Sequence, residues 1–189
     1  MKRLNKLIII LVNLFISLNL SSQIDLNSSD TVFDGHVVSS DWIDKGVTIG
    51  VNYSHYLYGE IDFYKSNIWE AGGFPVVSNT MNYGIEFSYL EDLIVAPKIQ
   101  GRLHAYFFNT SLSILYYSDL KNSYALKLRP EIGLGLWNID INYGYNIGLF
   151  KNGFEKSNKH VISLRYYLNL NRKYLNEYDR NGNVRPESK

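Results

Sequence analysis

Apolar and polar residues alternate with a period of two along most of the chain from Val47 onward. This spacing points successive side chains to opposite faces of an extended strand. In residues 138–149, for example, Ile139 and Ile141 flank Asp140, and the alternation continues to the end of the segment. The pattern predicts an all-β protein. The seven clearest strands are predicted at residues 46–57, 80–90, 93–107, 108–118, 122–136, 138–149 and 160–170.

The two faces of these strands differ in chemistry. One face carries large Leu, Ile and Tyr side chains, and the other carries nearly all of the charge. A soluble, lipocalin-like barrel would turn the apolar face inward around a lipid, whereas a membrane barrel turns it outward. Segments of about 10 to 15 residues suit a tilted membrane strand of about 9 to 11 residues better than a soluble strand of about 5 or 6. Tyrosines near the segment ends suit membrane interfaces. These features favour the membrane barrel, and the lipid-binding barrel remains an alternative.

An eighth strand is expected because bacterial single-chain membrane barrels usually have an even number of strands. Residues 60–70 are the better candidate, since Ile61 and Phe63 begin a weak alternation, and residues 31–38 are the second candidate. The expected fold is therefore an all-β, antiparallel, up-and-down transmembrane β-barrel of about eight strands. Hairpin turns are predicted at 91–92, 120–122 and Trp137, and longer loops at 71–79 and 151–158.

The first 22 residues have the composition of a secretory signal peptide. A basic start is followed by a stretch of 14 mostly apolar residues, Leu7 to Leu20, and then by Ser21 and Ser22. This stretch is too short and too polar for a membrane-spanning helix, which needs roughly 20 apolar residues. The predicted organisation is a signal peptide at 1–22, an N-terminal extension at 23–45, the barrel at 46–171 and a polar periplasmic tail at 172–189.

Charge and cysteine content narrow the possible functions. Without the three cations of the signal segment, 16 basic and 18 acidic residues remain, a net charge of −2, which argues against nucleic acid as a partner. The absence of cysteine excludes disulfides, thiolate metal sites and a lipid-modified cysteine. We expect a monomeric barrel in the outer membrane of a Gram-negative bacterium, with membrane lipid as its surroundings, an unknown protein partner if any, and no cofactor.

Four stretches carry a family resemblance, and together they span about residues 81 to 170: residues 96–98, 115–119, 128–135 and 143–147. They resemble the small, largely uncharacterised outer-membrane β-barrel proteins of Gram-negative bacteria. The resemblance implies the barrel fold and the location, and little about activity. Two features depart from that family: a polar tail follows the last strand, and Pro97 and Pro130 fall inside strand patterns. Because proline donates no ladder hydrogen bond, we expect both at strand ends or bulges outside the bilayer.

The polar face predicts a charged lumen. An eight-stranded barrel is just wide enough to be filled by side chains, so these residues are expected to pair with one another, with Arg129 and Glu131 at the centre. A narrow channel through the same residues is the alternative. The predicted lumen network consists of Glu86, Lys98, Arg102, His104, Lys127, Arg129, Glu131, Asp140 and Arg165.

The sequence lacks a pattern for catalysis or metal binding. A lipid hydrolase needs a serine activated by histidine, but no histidine is followed two residues later by serine, and G-x-S-x-G is absent. The histidines, His36, His55, His104 and His160, are too scattered to predict a metal site. Residues 179–183 have glycine at the wrong position for a calcium loop and predict an Asn-Gly turn. We therefore expect a structural or interaction role and no enzyme.

Overall fold

The computed structural model describes residues 36–89, 92–136, 138–155 and 157–185. Within these residues every regular element is a β-strand, which confirms the all-β fold class. The predicted signal peptide and most of the second candidate for the eighth strand, 31–38, lie outside the described residues. The strands are β1 (Ser39–Tyr53), β2 (Leu57–Ala71), β3 (Phe74–Tyr89), β4 (Leu93–Ala105), β5 (Phe108–Ser118), β6 (Tyr124–Leu136), β7 (Ile139–Tyr145), β8 (Ile147–Asn152) and β9 (His160–Tyr178).

The strands form one antiparallel sheet that closes into a ring. Neighbours along the chain pair from β1 to β7, and β1 pairs with β9 to close the circle. β7 and β8 both pair with β6 and are separated only by Asn146, so they are two halves of one interrupted strand. The ring thus has eight positions, as predicted, and its architecture is barrel-like.

The eighth strand is β2, which contains the predicted residues 60–70. The predicted loop at 71–79 is wrong, because β2 and β3 are joined by a two-residue turn at Gly72 and Gly73. Both glycines have positive φ, 62° and 84°, the backbone of a tight hairpin turn whose twist matches the strands. Two adjacent glycines were the available sequence signal for this turn.

The sheet extends beyond the predicted limits of 46–171. β1 begins at Ser39 and pairs with β9 as far as Tyr178, so part of the predicted N-terminal extension and part of the predicted tail are strand. The period-two pattern holds along the whole of β1, but it failed on β9, because the β1–β9 register shifts twice, between Asp41 and Trp42 and between Lys45 and Gly46, and each shift skips one residue of β9. Each shift changes which residues of β9 point inward.

Pro97 and Pro130 lie inside β4 and β6, and the pairings around them show no register shift, so the expectation of strand ends or bulges is wrong. Each lies beside a gap in one of its two ladders. Pro97 pairs with β3 while β5 has no partner for it, and Pro130 pairs with β5 opposite the break between β7 and β8. A missing N–H is tolerated where the neighbouring strand forms no hydrogen bond to it.

The two ends of the ring differ. At the loop end, connections of three to seven residues join the strands, including 54–56, 119–123 and 153–159. At the turn end the connections have two residues, as at 72–73 and 106–107, and β1 begins and β9 ends there. Beyond Tyr178 the chain turns at Asp179 to Asn183, and Val184 pairs back with Tyr178. The Asn-Gly turn predicted in this segment is part of that hairpin, with Gly182 at φ 82°.

Candidate functional site

The interior of the ring is polar and its exterior is apolar. Lys98 is 3 % exposed while its neighbour Ile99 is 52 % exposed, and the same inversion recurs on every long strand. From the loop end to the turn end the interior contains an aromatic cluster, an ion network and a cavity. Period-two alternation on each strand explains which side chains point into the interior, and closure of the ring brings these side chains together.

Arg165 of β9 joins two carboxylates at the centre of the ion network. Its Nη1 and Nη2 donate to Glu131 at 2.7 and 2.9 Å, and its Nε donates to Glu60 at 2.7 Å. Glu131 also accepts hydrogen bonds from Gln100 at 2.8 Å and Ser111 at 2.7 Å. Arg165 and both glutamates have fully buried side chains. A fork of this kind fixes the guanidinium in one orientation.

Lys98 lies between two carboxylates of β2. Its Nζ is 2.6 Å from Glu60 and 2.7 Å from Asp62, and all three side chains are inaccessible to solvent. Gly84 on β3 makes room for Asp62, because a Cβ at Gly84 would overlap the Asp62 carboxylate and the carbonyl oxygen of residue 61. A glycine in a strand often marks such a close approach.

Arg129 of β6 holds the loop side of the network. It donates to Glu86 at 2.6 and 3.1 Å and to the Tyr117 hydroxyl, which itself donates to Glu86 at 2.9 Å. Its Nε donates to Asn146 at 2.8 Å, and Asn146 donates to the carbonyl of Asn158 in the β8–β9 loop. The break between β7 and β8 therefore lets Asn146 connect the network to that loop.

The aromatic cluster closes the interior at the loop end. Phe154 from the β8–β9 loop stacks on Tyr117 with ring centroids 5.5 Å apart, and Tyr58 packs edge-on against Tyr117 at 5.7 Å. Phe154 is 3 % exposed although it belongs to a loop. The cluster consists of Tyr58, Ile94, Ala96, Leu115, Tyr117, Ala125 and Phe154.

A second group of ion pairs lies toward the turn end. Arg102 pairs with Asp140, and its guanidinium carbon lies 4.2 Å from the ring centre of Tyr167. Arg172 donates to both oxygens of Asp44 at 2.8 Å each. Each of these two arginines therefore has its own carboxylate.

Seven of the nine predicted lumen residues fall into two groups, and the other two, Lys127 and His104, lie outside both. Glu86, Lys98, Arg129, Glu131 and Arg165 form the ion network, and Arg102 and Asp140 form the separate pair. Arg129 and Glu131 are 3.8 Å apart, but each has a closer main partner, Glu86 and Arg165 respectively. Lys127 is only partly buried and bonds Ser157 of the loop. His104 lies near the Gly135 carbonyl, with 3.5 Å between Nε2 and oxygen.

Sequence reasoning missed four charged members of the interior. Glu60 and Asp62 could have been found by the same alternation, because they lie opposite the apolar positions 61 and 63. Asp44 could have been found in the same way, because it lies on the same face of β1 as Thr48. Arg172 could not, because it reaches the inner face only after the register shift of β9. Four carboxylates and three cations make up the central network: Glu60, Asp62, Glu86, Glu131, Lys98, Arg129 and Arg165.

A cavity of about 510 Å³ lies in the interior at the turn end. Its deeper wall includes Tyr64, Arg102 and Tyr167, and its mouth includes Phe74 and Phe107. A smaller cavity of about 220 Å³ at the loop end is lined by Ser54, His55, Tyr143 and His160 among others. There the Tyr143 hydroxyl is 2.6 Å from Nδ1 of His160. The structure thus brings together two histidines that are 105 positions apart in the sequence.

The fold and interior define a class of protein: a closed antiparallel β-sheet with a charged, paired interior and an apolar exterior. No protein-family model, curated protein or solved structure matches the chain. Among the described residues, no helix has the length and apolar character to cross a membrane. In the same part of the chain, no group of three or more His, Asp or Glu residues is placed to hold a metal ion.

Proposed function

We propose that this protein is an integral outer-membrane β-barrel with a side-chain-filled interior and a structural or interaction role. The observation that carries the proposal is the inversion of burial: fully buried ion pairs inside and large apolar side chains exposed around the outside. A soluble monomer rarely exposes a contiguous apolar patch beyond a few hundred Å². An apolar surface around a whole ring is stable when lipid covers it.

Aromatic residues at both edges of the outer surface support the proposal. Tyr53 and Tyr89 are exposed at the loop end, and Trp69 and Phe108 are exposed at the turn end. Aromatic girdles at both interfaces bound the lipid-facing band of membrane barrels. Short turns at one end and longer loops at the other match the periplasmic and extracellular ends of such barrels. In this orientation the segment after Tyr178 is periplasmic.

The packed interior favours a plug over a channel. Arg165 of β9 donates to Glu60 of β2 and to Glu131 of β6, so it joins three strands across the ring. Phe154 and Tyr117 then close the loop end. An eight-position ring leaves little room beyond its own side chains, so we propose that the interior does not conduct ions.

Membrane fractionation tests the proposal. The protein is expected in the outer-membrane fraction, soluble only with detergent, and its gel mobility should change on boiling. Recovery as a detergent-free protein in the periplasmic fraction would refute it. Planar-bilayer recording tests the filled interior separately, because stable unitary conductance from the folded protein would contradict a plug while leaving the membrane location intact.

A further inference from the structure

Three lysines lie side by side on the outer surface toward the turn end. Lys45 of β1 is directly opposite Lys65 of β2, and both are exposed on the face that points away from the interior. Lys173 of β9 is exposed and directly opposite Ile43, two residues along β1 from Lys45, so it shares this outer face. Opposite side chains in a sheet have Cβ atoms about 4.5 to 5.5 Å apart, and diagonal neighbours about 7 to 8 Å. The three side chains therefore form one basic patch across β9, β1 and β2, the lysine cluster.

The lysine cluster has no anionic partner of its own. None of the ion pairs among the described residues includes Lys45, Lys65 or Lys173. Asp41 lies on the same face, two residues beyond Ile43, and accepts a hydrogen bond from the Tyr178 hydroxyl at 3.0 Å. Like charges directly opposite one another destabilise a sheet. An anion between the lysines would relieve this repulsion.

The cluster lies at the boundary of the apolar outer surface. The next outward pair toward the loop end is Val47 and Phe63, and Phe63 is 69 % exposed. Tyr53, at the loop-end edge, is eight positions after Lys45, which at about 3.3 Å per residue is about 26 Å of strand. A strand tilted by about 40° covers about 20 Å of depth over that length, close to the lipid-facing band of about 25 Å. With Tyr53 at one interface, Lys45 therefore lies at the headgroup level of the other.

The surroundings of the cluster favour a lipid as the anion. Trp69 lies on the same face of β2, four residues beyond Lys65 toward the turn end, and is 41 % exposed. Tryptophan rings are enriched at the level of lipid headgroups, and clusters of basic residues beside a membrane recognise anionic headgroups. A phospholipid brings a phosphate to the lysines and acyl chains to the adjoining apolar surface. An acidic polypeptide would supply only the charge.

We propose that the lysine cluster binds the phosphodiester headgroup of an anionic glycerophospholipid in the leaflet at the turn end. The inference rests on the proposed membrane location. The phosphate lies between Lys45 and Lys65, and Lys173 adds positive charge from the adjacent strand. The acyl chains lie along Val47 and Phe63.

Selective retention of lipid by the folded, detergent-purified protein tests the proposal. The protein is mixed with equal amounts of phosphatidylglycerol and phosphatidylcholine that have identical acyl chains, and bound lipids are counted by native mass spectrometry. One lysine near an anionic lipid surface contributes about fivefold to binding. We therefore expect a preference of at least about tenfold for phosphatidylglycerol, which decreases as the salt concentration rises. Equal retention of both lipids by a protein that needs detergent would overturn the lipid site and leave the membrane location intact.

Substitutions in the cluster locate the site. The triple variant Lys45→Gln, Lys65→Gln and Lys173→Gln should reduce the preference to less than about twofold. Arginine at the same three positions should keep the preference, because the charge is retained. The heat-modifiable gel shift shows whether each variant is folded. An unchanged preference in the folded glutamine variant would contradict the assignment.

A matched variant at the loop end controls for net charge. Lys121→Gln, Lys151→Gln and Lys159→Gln together remove the same number of charges, and Lys121 and Lys151 already have carboxylate partners. This variant should keep the preference for phosphatidylglycerol, and an equal loss in both glutamine variants would overturn a localised site. Decaglutamate serves as a third probe. Binding of this peptide in preference to phosphatidylglycerol would overturn the lipid assignment in favour of an acidic protein partner.

Discussion

The inner and outer faces of the same strands are stabilised by different physics. On β4, Lys98 is buried between two carboxylates, while the next residue, Ile99, makes its apolar surface available to the surroundings. In a soluble protein apolar burial inside drives folding. Here the interior is held by charge-assisted hydrogen bonds, and the apolar surface contributes only if lipid replaces water outside. Strand alternation therefore determines that the sheet has one apolar and one polar face. Whether the apolar face stabilises the fold depends on whether water or lipid surrounds the ring.

The largest expected effect comes from breaking the inner face. Arg165→Met leaves Glu60 and Glu131 buried without their shared cation, and loss of one partner of a buried pair costs about 3 to 5 kcal/mol. We expect a strong fall in the urea midpoint for unfolding, measured by the heat-modifiable gel shift, or failure to assemble. Arg185→Met, which breaks an exposed pair with Glu177, should change stability by less than about 1 kcal/mol. Equal effects of the two substitutions would contradict the central role of the ion network.

The next effect tests the outer face. Ile99 lies near the middle of β4, so Ile99→Arg places a cation where the proposal puts the middle of the membrane. The expected cost is about 2 to 4 kcal/mol, against about 0 to 1 kcal/mol for Tyr53→Arg near the loop-end edge. Folding yield into lipid vesicles and urea midpoints measure both. A soluble protein would tolerate both substitutions equally, because arginine at an exposed site is hydrated.

A smaller effect on stability is expected from adding a methyl group at two strand glycines, one closely packed inside the ring and one with open space around it. Gly84→Ala forces a methyl group onto the Asp62 carboxylate, and overpacking of this kind costs about 1 to 3 kcal/mol. Gly148→Ala meets no heavy atom within 4 Å, so its unfolding free energy should be unchanged or slightly higher. Chemical denaturation of the two variants measures the difference. A similar loss for both would show that strand glycines matter here for reasons other than space.

The smallest effect is at the rim, in the exposed β5–β6 loop. Backbone N–H groups of Lys121 and Ser123 donate to Asp119 at 3.0 Å each and lower the pKa of its carboxyl group from 3.8 to about 2. Because the folded-state pKa is depressed, this stabilisation is present above pH 3.8 and is lost as the pH falls through 2. NMR titration of the Asp119 carboxyl carbon should give a midpoint near 2. The variant Asp119→Asn should remove that contribution to pH dependence, and a midpoint at 3.8 would exclude the loop bonds in solution.

Sequence reasoning recovered most of the strands, since β-sheet side chains alternate with a period of two. The same alternation gave the inward positions of Glu86, Arg129 and Arg165. It failed for β9 beyond Leu168, because the register shifts leave no mark in the local pattern, so Arg172 was not assigned to the interior. The ion-pair partners of these residues also could not be predicted from the sequence. That Arg165 binds Glu60, 105 positions earlier, depends on how the first and last strands meet.

The sequence by itself determined the all-β class, the two chemically distinct faces and the set of charges available to one of them. Those follow from local geometry, because each residue's face depends only on its place in its own strand. Only the tertiary structure decided that the ring closes through β1 and β9 and that the loop end is filled. It also placed a cavity of about 510 Å³ at the turn end. These are properties of distances between distant segments, which a linear pattern does not encode.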